Sequence, residues 1–92
     1  MIDERIYERV YDFIVENYLG GEGEELDHDT PLLKLGILDS MRMIELLTFL
    51  ETECGVFVHG RDILAANFKT LKNIADLAVR IRDTSDGLGR AP

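Results

Sequence analysis

The sequence predicts an all-α protein, a bundle of three longer helices and one short third helix, with a long loop between the first two. Three observations lead to this prediction. Apolar residues recur at steps of three and four in three segments, which is the spacing of one helix face. Glycine or a residue suited to capping stands where these repeats end or begin. The chain has 92 residues, enough for one domain with a thin core.

The first helix is predicted over residues 3–19. Asp3 and Glu4 suit its start, because negative charge is favourable at the positive end of a helix dipole. Gly20 and Gly21 predict its end. Its apolar face consists of Ile2, Ile6, Val10, Phe13, Ile14 and Leu19.

A long connection follows, over residues 20–39. Its first part is acidic, and its second part, from Thr30-Pro31 onward, is rich in leucine and isoleucine. A structureless loop of this length is uncommon inside a compact domain. We therefore expect the second part to fold down and cap one end of the bundle, with a short helical turn around residues 31–35.

The second helix is predicted to begin at Asp39 or Ser40, either of which can act as its N-cap, and to end before Gly55. It is the most apolar helix and should lie at the centre of the bundle. Its apolar stripe is predicted to contain Met43, Leu46, Leu47, Leu50 and Cys54, widened by Ile44.

The remainder of the chain predicts two further helices. Residues 56–58 form an extended linker with Phe57 or its neighbours turned inward, and residues 60–66 form the short third helix. Thr70 is the expected N-cap of the last helix, over about 70–83. The domain is therefore assigned to residues 1–83, and residues 84–92 to a flexible tail.

Composition and charge exclude several classes of protein. The net charge of −8 disfavours nucleic acid as a partner, because an acidic surface repels phosphates. No apolar run reaches the length of a membrane span, so no span is expected. A secretory signal is not expected either, because residues 1–10 lack a basic stretch followed by an apolar one. With a single cysteine, Cys54, no internal disulfide can form, so a cytoplasmic location is expected. A monomer is the default expectation for this acidic domain.

The sequence offers little for catalysis. Both histidines, His28 and His59, fall in loops without an obvious partner, and a thin helical domain leaves little room for a substrate cleft. The cysteine falls on the apolar stripe of the second helix, where a small core residue is expected. No metal-binding pattern is complete in the acidic loop. We therefore expect a protein that is not an enzyme.

Ser40 allows two interpretations from its local sequence. It could be a helix N-cap with no further role. It could also anchor a phosphate-linked group, because the positive end of a helix stabilises an anion by roughly 0.3–1 kcal/mol. The neighbouring Asp39 is then a plausible Mg²⁺ ligand while such a group is transferred.

Five short motifs in this chain form a recognisable set: Thr30-Pro31-Leu32, Leu35-Gly36, Asp39-Ser40-Met41, Ile44-Glu45-Leu46-Leu47 and Asn67-Phe68-x-Thr70-Leu71-x-x-Ile74-Ala75. Through these motifs the chain resembles the acyl carrier and peptidyl carrier protein family over about residues 3–83. The resemblance implies a four-helix bundle of the acyl-carrier type. It implies that Ser40 carries 4′-phosphopantetheine, which a phosphopantetheinyl transferase donates from coenzyme A with Mg²⁺.

In such a carrier, 4′-phosphopantetheine forms a flexible arm, and the thiol at its end holds an acyl or aminoacyl group as a thioester. The resemblance implies an acyl- or aminoacyl-loading (adenylating) enzyme and downstream acyl-accepting enzymes as partners. The second helix is the main recognition surface of the family, which here indicates Met41, Arg42, Glu45 and Thr48 as partner contacts.

Two departures from the common pattern indicate a specialised pathway. Ile37 and Leu38 both stand between Gly36 and Asp39, a form more similar to freestanding D-alanyl and aminoacyl carriers. Arg42 stands where fatty-acid carriers often have an acid. The alternatives are a carrier of fatty acyl or polyketide chains and, from another class, an unmodified helical interaction module in which Ser40 is only a cap.

Overall fold

The computed structural model describes residues 4–21 and 26–88, and within these residues it contains helices and no strands. There are three α-helices: α1 spans Glu4–Tyr18, α2 spans Ser40–Cys54 and α3 spans Leu71–Leu88. Two short 3₁₀ helices, Gly60–Asp62 and Ala65–Phe68, lie between α2 and α3. The prediction of an all-α protein is confirmed.

The predicted short third helix over residues 60–66 is wrong in form. The chain makes two separate 3₁₀ turns there, because Ile63 leaves helical geometry at φ −85° and ψ 76° and Leu64 is extended. The Asn67 side-chain amide donates to the carbonyl of Asp62 at 2.8 Å and so bridges the break between the two turns. The described bundle therefore contains three α-helices instead of four.

Glycines end the first two helices where the sequence predicted. Gly20 and Gly21 adopt positive φ after α1, and the N–H of Gly21 donates to the carbonyl of Val15 at 2.9 Å. Gly55 adopts φ 68° after α2. The N–H of Val56 then donates to the carbonyl of Leu50 at 2.9 Å, a bond that satisfies one of the free carbonyls at the helix end.

The last helix begins as predicted and ends later. The Oγ1 of Thr70 accepts from the N–H of Asn73 at 3.1 Å, so Thr70 is the N-cap of α3. The helix continues to Leu88, whereas its predicted end was near residue 83. Residues 89–92 of the predicted flexible tail lie outside the described residues, and the division into a carrier domain and a tail stays a prediction.

The three helices enclose one apolar core. α1 and α2 run antiparallel: Arg9 pairs with Glu53 at 3.5 Å, and Phe13 stacks on Phe49 with 4.4 Å between ring centroids. α2 contributes Leu46 and Leu50, both completely buried. Ile44 was predicted to widen this stripe, but it is 64% exposed. The completely buried side chains of the core are Val10, Ile14, Leu32, Leu46, Leu50, Val56, Phe68, Leu71, Ile74, Ala75 and Ala78.

The second part of the long connection packs onto the bundle. Leu32 and Leu38 are buried, and the N–H of Leu32 donates to the carbonyl of Lys69 at 2.8 Å, just ahead of α3. The N–H of Leu35 donates to the carbonyl of Pro31 at 3.0 Å, which closes one helical turn. These contacts fix the turn that precedes α2.

In the linker after α2, the neighbours of Phe57 turn inward: Val56 is buried, whereas Phe57 itself is 57% exposed. None of the helices in the described ranges has both the length and the apolar character that crossing a bilayer requires.

Candidate functional site

Ser40 is the first residue of α2, and its side chain is exposed. The residue that caps the helix is Asp39, whose Oδ1 accepts from the backbone N–H of Arg42 at 2.8 Å. Asp39 has the extended backbone of an N-cap, with φ −140° and ψ −173°. The sequence left the cap open between these two residues, and the structure assigns it to Asp39. The Ser40 hydroxyl therefore stands at the helix start without serving as its cap.

A compact turn brings the chain into α2. Gly36 adopts φ 76°, and its N–H donates to the carbonyl of Leu33 at 3.2 Å. The N–H of Leu38 donates to the carbonyl of Leu32 at 3.1 Å, and the Leu38 side chain is 1% exposed. A Cβ added at Gly36 would meet nothing within 4 Å, so the constraint there is backbone conformation and not space. The buried Leu38 anchors the chain one residue before Asp39 and Ser40.

The positive end of α2 at Ser40 favours a phosphate group. The first turn of α2 holds no acidic residue, and its free N–H groups give the helix start a partial positive charge. The neighbouring Asp39 carboxylate is exposed and uses Oδ1 for the cap. An exposed hydroxyl at such a helix start fits covalent attachment of a phosphodiester-linked arm.

The four predicted partner contacts differ in their exposure. Met41 is 71% exposed, and Glu45 and Thr48 are also exposed. Arg42 is half-buried, and its guanidinium is used within the chain: Nη1 donates to the carbonyl of Ile37 at 3.1 Å.

Two features of the site were not found from the sequence. Ile44 is exposed three residues after Met41, so these two residues present neighbouring apolar side chains on the outer face of α2. Tyr18, the last residue of α1, contacts Arg42 and Glu45. The step of four from Ser40 to Ile44 could have indicated that Ile44 shares the serine's exposed side. No local pattern marks Tyr18.

Two cavities lie away from the helix start. One of about 280 Å³ is an open groove between α1 and α2, with Phe13 and Phe49 in its lining. The other, of about 150 Å³, has Cys54 and three arginines in its lining: Arg5, Arg9 and Arg82. Neither is lined by a residue of the first two turns of α2.

The Cys54 thiol and the possible metal-ligating side chains are less suited to a reactive site than Ser40. Cys54 is half-buried, and burial raises the pKa of its thiol, an effect that the nearby Arg9 partly opposes. Its position against the core matches the predicted small apolar residue. Within residues 4–21 and 26–88, no three His, Cys, Asp or Glu side chains are grouped so that they could hold a metal ion.

Comparison with known proteins gives three results. The model of the family described as "Phosphopantetheine attachment site" matches residues 13–78, a range that contains Ser40 and not Ser85, the second of the chain's two serines. The curated "Probable acyl carrier protein PigG" from Serratia sp. (strain ATCC 39006) is 34% identical over 74 residues, which cover 80% of this chain and 85% of that protein.

A solved structure titled "Crystal structure of FAD-dependent dehydrogenase" contains a chain that is 37% identical to this one, with a TM-score of 0.69. The match covers 74% of this chain and 96% of that chain. The family match spans more than half of the sequence, and a curated relative aligns over most of both chains. This chain therefore belongs to the phosphopantetheine-binding acyl and peptidyl carrier proteins, which carry 4′-phosphopantetheine covalently on a serine and are not enzymes.

Proposed function

We propose that this protein carries 4′-phosphopantetheine on Ser40, holds an acyl or aminoacyl group on that arm as a thioester, and presents it to partner enzymes of a specialised biosynthetic pathway. The observation that carries the assignment is the placement of Ser40, an exposed serine at the first residue of α2 whose helix is capped by another residue. We further propose that it works in the cytoplasm as a monomer.

The helix start supports the attachment chemistry. In the transfer reaction, the Ser40 oxygen forms a bond to phosphorus, the bond from phosphorus to the nucleotide part of coenzyme A breaks, and the hydroxyl proton leaves. The product places a phosphodiester at the N-terminus of α2, where it is stabilised by about 0.3–1 kcal/mol. We propose that Asp39 contributes a carboxylate oxygen to Mg²⁺ during this step while its Oδ1 keeps the cap.

The arm supplies a terminal thiol at which the thioester forms, and the protein contributes the surface that partners recognise. We propose that Met41, Glu45 and Thr48 contact partner enzymes, joined by the exposed Ile44. An exposed apolar pair beside the attachment site favours docking by burial of apolar surface. Arg42 stays a predicted contact of the same surface, although its guanidinium already contacts Ile37 and Tyr18.

One observation bears on the cargo. The similar chain in a structure titled after an FAD-dependent dehydrogenase favours a flavin-dependent dehydrogenase among the downstream enzymes. Such an enzyme would transfer two hydrogen atoms from the tethered cargo to its flavin.

The attachment is tested by intact mass after incubation with coenzyme A, Mg²⁺ and a broad-specificity phosphopantetheinyl transferase. The wild type should gain one phosphopantetheine unit, Ser40→Ala should gain none, and Ser85→Ala should gain one. An unmodified wild type would favour a helical interaction module in which Ser40 has no cargo role. A gain that persists in Ser40→Ala would assign the arm to another residue.

The cargo class is tested by loading assays on the modified protein. Amino acids with adenylating enzymes are compared with fatty acids and their activating enzyme. Selective loading with amino acids supports an aminoacyl carrier, whereas selective loading with fatty acids supports the fatty acyl alternative. Loss of two hydrogen atoms from a loaded cargo, with matching flavin reduction, would identify a dehydrogenase partner.

A further inference from the structure

Tyr18 joins the end of α1 to the start of α2. Its hydroxyl donates to Oε1 of Glu45 at 2.7 Å and lies 3.3 Å from the carbonyl oxygen of Arg42. The Arg42 guanidinium lies over the Tyr18 ring, with Cζ 4.6 Å from the ring centroid. At this distance the positive charge is attracted by the negative face of the ring.

Arg42 also forms hydrogen bonds with the turn that precedes Ser40. Its Nη1 donates to the carbonyl of Ile37 at 3.1 Å, three residues before Ser40. Its backbone N–H donates to Oδ1 of Asp39 at 2.8 Å, one residue before Ser40. One residue of α2 thus contacts both the turn that precedes Ser40 and the end of α1.

We propose that Tyr18 and Arg42 are positioning residues that hold the turn over residues 37–40 against α1 and so fix the orientation in which the Ser40 hydroxyl is presented. We refer to Tyr18, Ile37, Arg42 and Glu45 together as the Tyr18–Arg42 clamp. The predicted effect of the clamp on modification rests on the proposed function of Ser40. The predicted ordering of the turn does not rest on that function.

The chemistry of the two side chains explains why this pair suits the role. The guanidinium is planar, so it can lie flat over a ring and donate an in-plane N–H to a carbonyl at the same time. A lysine ammonium carries the same charge but is not planar, so it cannot stack on the ring and donate in the ring-parallel plane in the same way. Burial, and then the Glu45 carboxylate, raise the pKa of the Tyr18 phenol, so its hydroxyl keeps the proton that it donates.

The clamp changes the role expected for Arg42. If Arg42 acts mainly as a partner contact, its removal weakens docking and leaves the isolated protein unchanged. If it belongs to the clamp, its removal loosens the turn over residues 37–40 in the isolated protein, before any partner is present. An ordered turn lowers the cost of docking the serine into a modifying enzyme, so loosening should raise KM more than it lowers kcat.

The experiment compares Arg42→Ala, Arg42→Lys and Tyr18→Phe with the wild type. Arg80→Ala is the matched control, because Arg80 is an exposed arginine on α3 whose Nη2 contacts Asn67 instead of the serine turn. Two quantities are measured: amide hydrogen exchange of residues 35–41 in the unmodified protein, and kcat and KM for modification by the transferase. Thermal unfolding shows that each variant is folded at the assay temperature.

We expect Arg42→Ala to speed exchange in the turn and to raise KM, each by about tenfold, as loss of a charged hydrogen bond and a cation–π contact implies. Arg42→Lys should recover part of both effects, and Tyr18→Phe, which keeps the ring, should change each by about threefold. Arg80→Ala should match the wild type.

Unchanged exchange and unchanged KM in Arg42→Ala would overturn the clamp and leave docking as the remaining role of Arg42. If Arg42→Ala does not fold, Arg42→Lys and Tyr18→Phe decide by the same two measurements. A wild type that is not modified at all refutes the function proposed for Ser40, while the exchange rates still report on the clamp.

Discussion

At its C-terminal end, α2 stops because Gly55 adopts a left-handed backbone and the completely buried Val56 returns the chain to the core. At its N-terminal end, hydrogen bonds join Arg42 to Asp39 and to Tyr18, next to the exposed Ser40. The first end depends on one backbone conformation and one buried side chain. The second depends on side chains drawn from three segments of the chain.

The difference separates stability from function along a single helix. The buried leucines of α2 lie in its middle and second half, at Leu46 and Leu50. The exposed residues proposed to carry cargo and contact partners lie among its first nine residues, from Ser40 to Thr48. Substitutions near Cys54 should therefore act on unfolding, and those near Ser40 should act on modification and docking.

The largest loss of stability is expected from Leu50→Ala. Leu50 is completely buried, so the change removes apolar contacts and leaves a cavity. The free energy of unfolding should fall by about 2–5 kcal/mol, measured by urea denaturation. The fraction that stays folded should still be modified at Ser40. A loss of under about 1 kcal/mol would mean that the second half of α2 does not dominate stability.

A smaller loss is expected from Gly55→Ala. The left-handed conformation at φ 68° disfavours a Cβ by about 1–2 kcal/mol, although a Cβ there would meet nothing within 4 Å. Gly60→Ala is the matched control, because Gly60 is equally open and is not among the glycines with positive φ. If the two variants had equal free energies of unfolding, the left-handed backbone conformation of Gly55 would not be what ends α2.

The three α-helices and the two ends of α2 could largely be predicted from the sequence. The steps of three and four in the apolar residues predict α1, α2 and α3, because each helix buries one face. Gly55 predicts the end of α2 because few other residues adopt its conformation easily. The position of Ser40 at the start of α2 follows from the same pattern. These features depend on residues that are neighbours in the sequence.

The rest depends on contacts between distant residues. The break at Ile63 and Leu64 is bridged by the Asn67 amide, and the alanines Ala65 and Ala66 locally favour a helix instead. The contacts of Tyr18 with Arg42 join residues 24 apart and require the antiparallel register of α1 and α2. No local pattern encodes either arrangement.

At the serine end, two substitutions of Asp39 separate its cap from its proposed metal contact. Asp39→Ala removes the cap and should lower the free energy of unfolding by about 0.5–2 kcal/mol. Asp39→Asn keeps a capping oxygen, so stability should stay within about 0.5 kcal/mol of the wild type. Both should raise the Mg²⁺ concentration needed for half-maximal modification. Unchanged Mg²⁺ dependence in Asp39→Asn would remove Asp39 from the metal site.

The thiols at the two ends of α2 should differ in reactivity once Ser40 is modified. Burial raises the pKa of Cys54, so its reactive thiolate forms only at higher pH than in an exposed cysteine. At about pH 8, iodoacetamide should therefore alkylate the exposed thiol of the arm before Cys54. Peptide mapping over time follows both sites. Cys54→Ser, which keeps the arm thiol, is the control.

Faster alkylation of Cys54 than of the arm would contradict a buried thiol at that end. The rate at Cys54 should rise as the pH is raised, because a larger fraction of the thiol is then ionised. A rate that does not change with pH would mean that opening of the structure around Cys54, and not ionisation, limits the reaction.

The smallest effect on stability is expected from Ile44→Ala, in contrast to Leu50→Ala on the same helix. Ile44 is 64% exposed, so its loss should change the free energy of unfolding by under about 0.5 kcal/mol. The same change, or Met41→Ala, should weaken transfer of cargo to a partner enzyme, because both residues bury apolar surface only when a partner docks. Steady-state transfer from the loaded carrier measures this, with Lys72→Ala on α3 as an exposed control. A stability loss as large as that of Leu50→Ala would place Ile44 in the core, and unchanged transfer in both variants would remove the apolar pair from the docking surface.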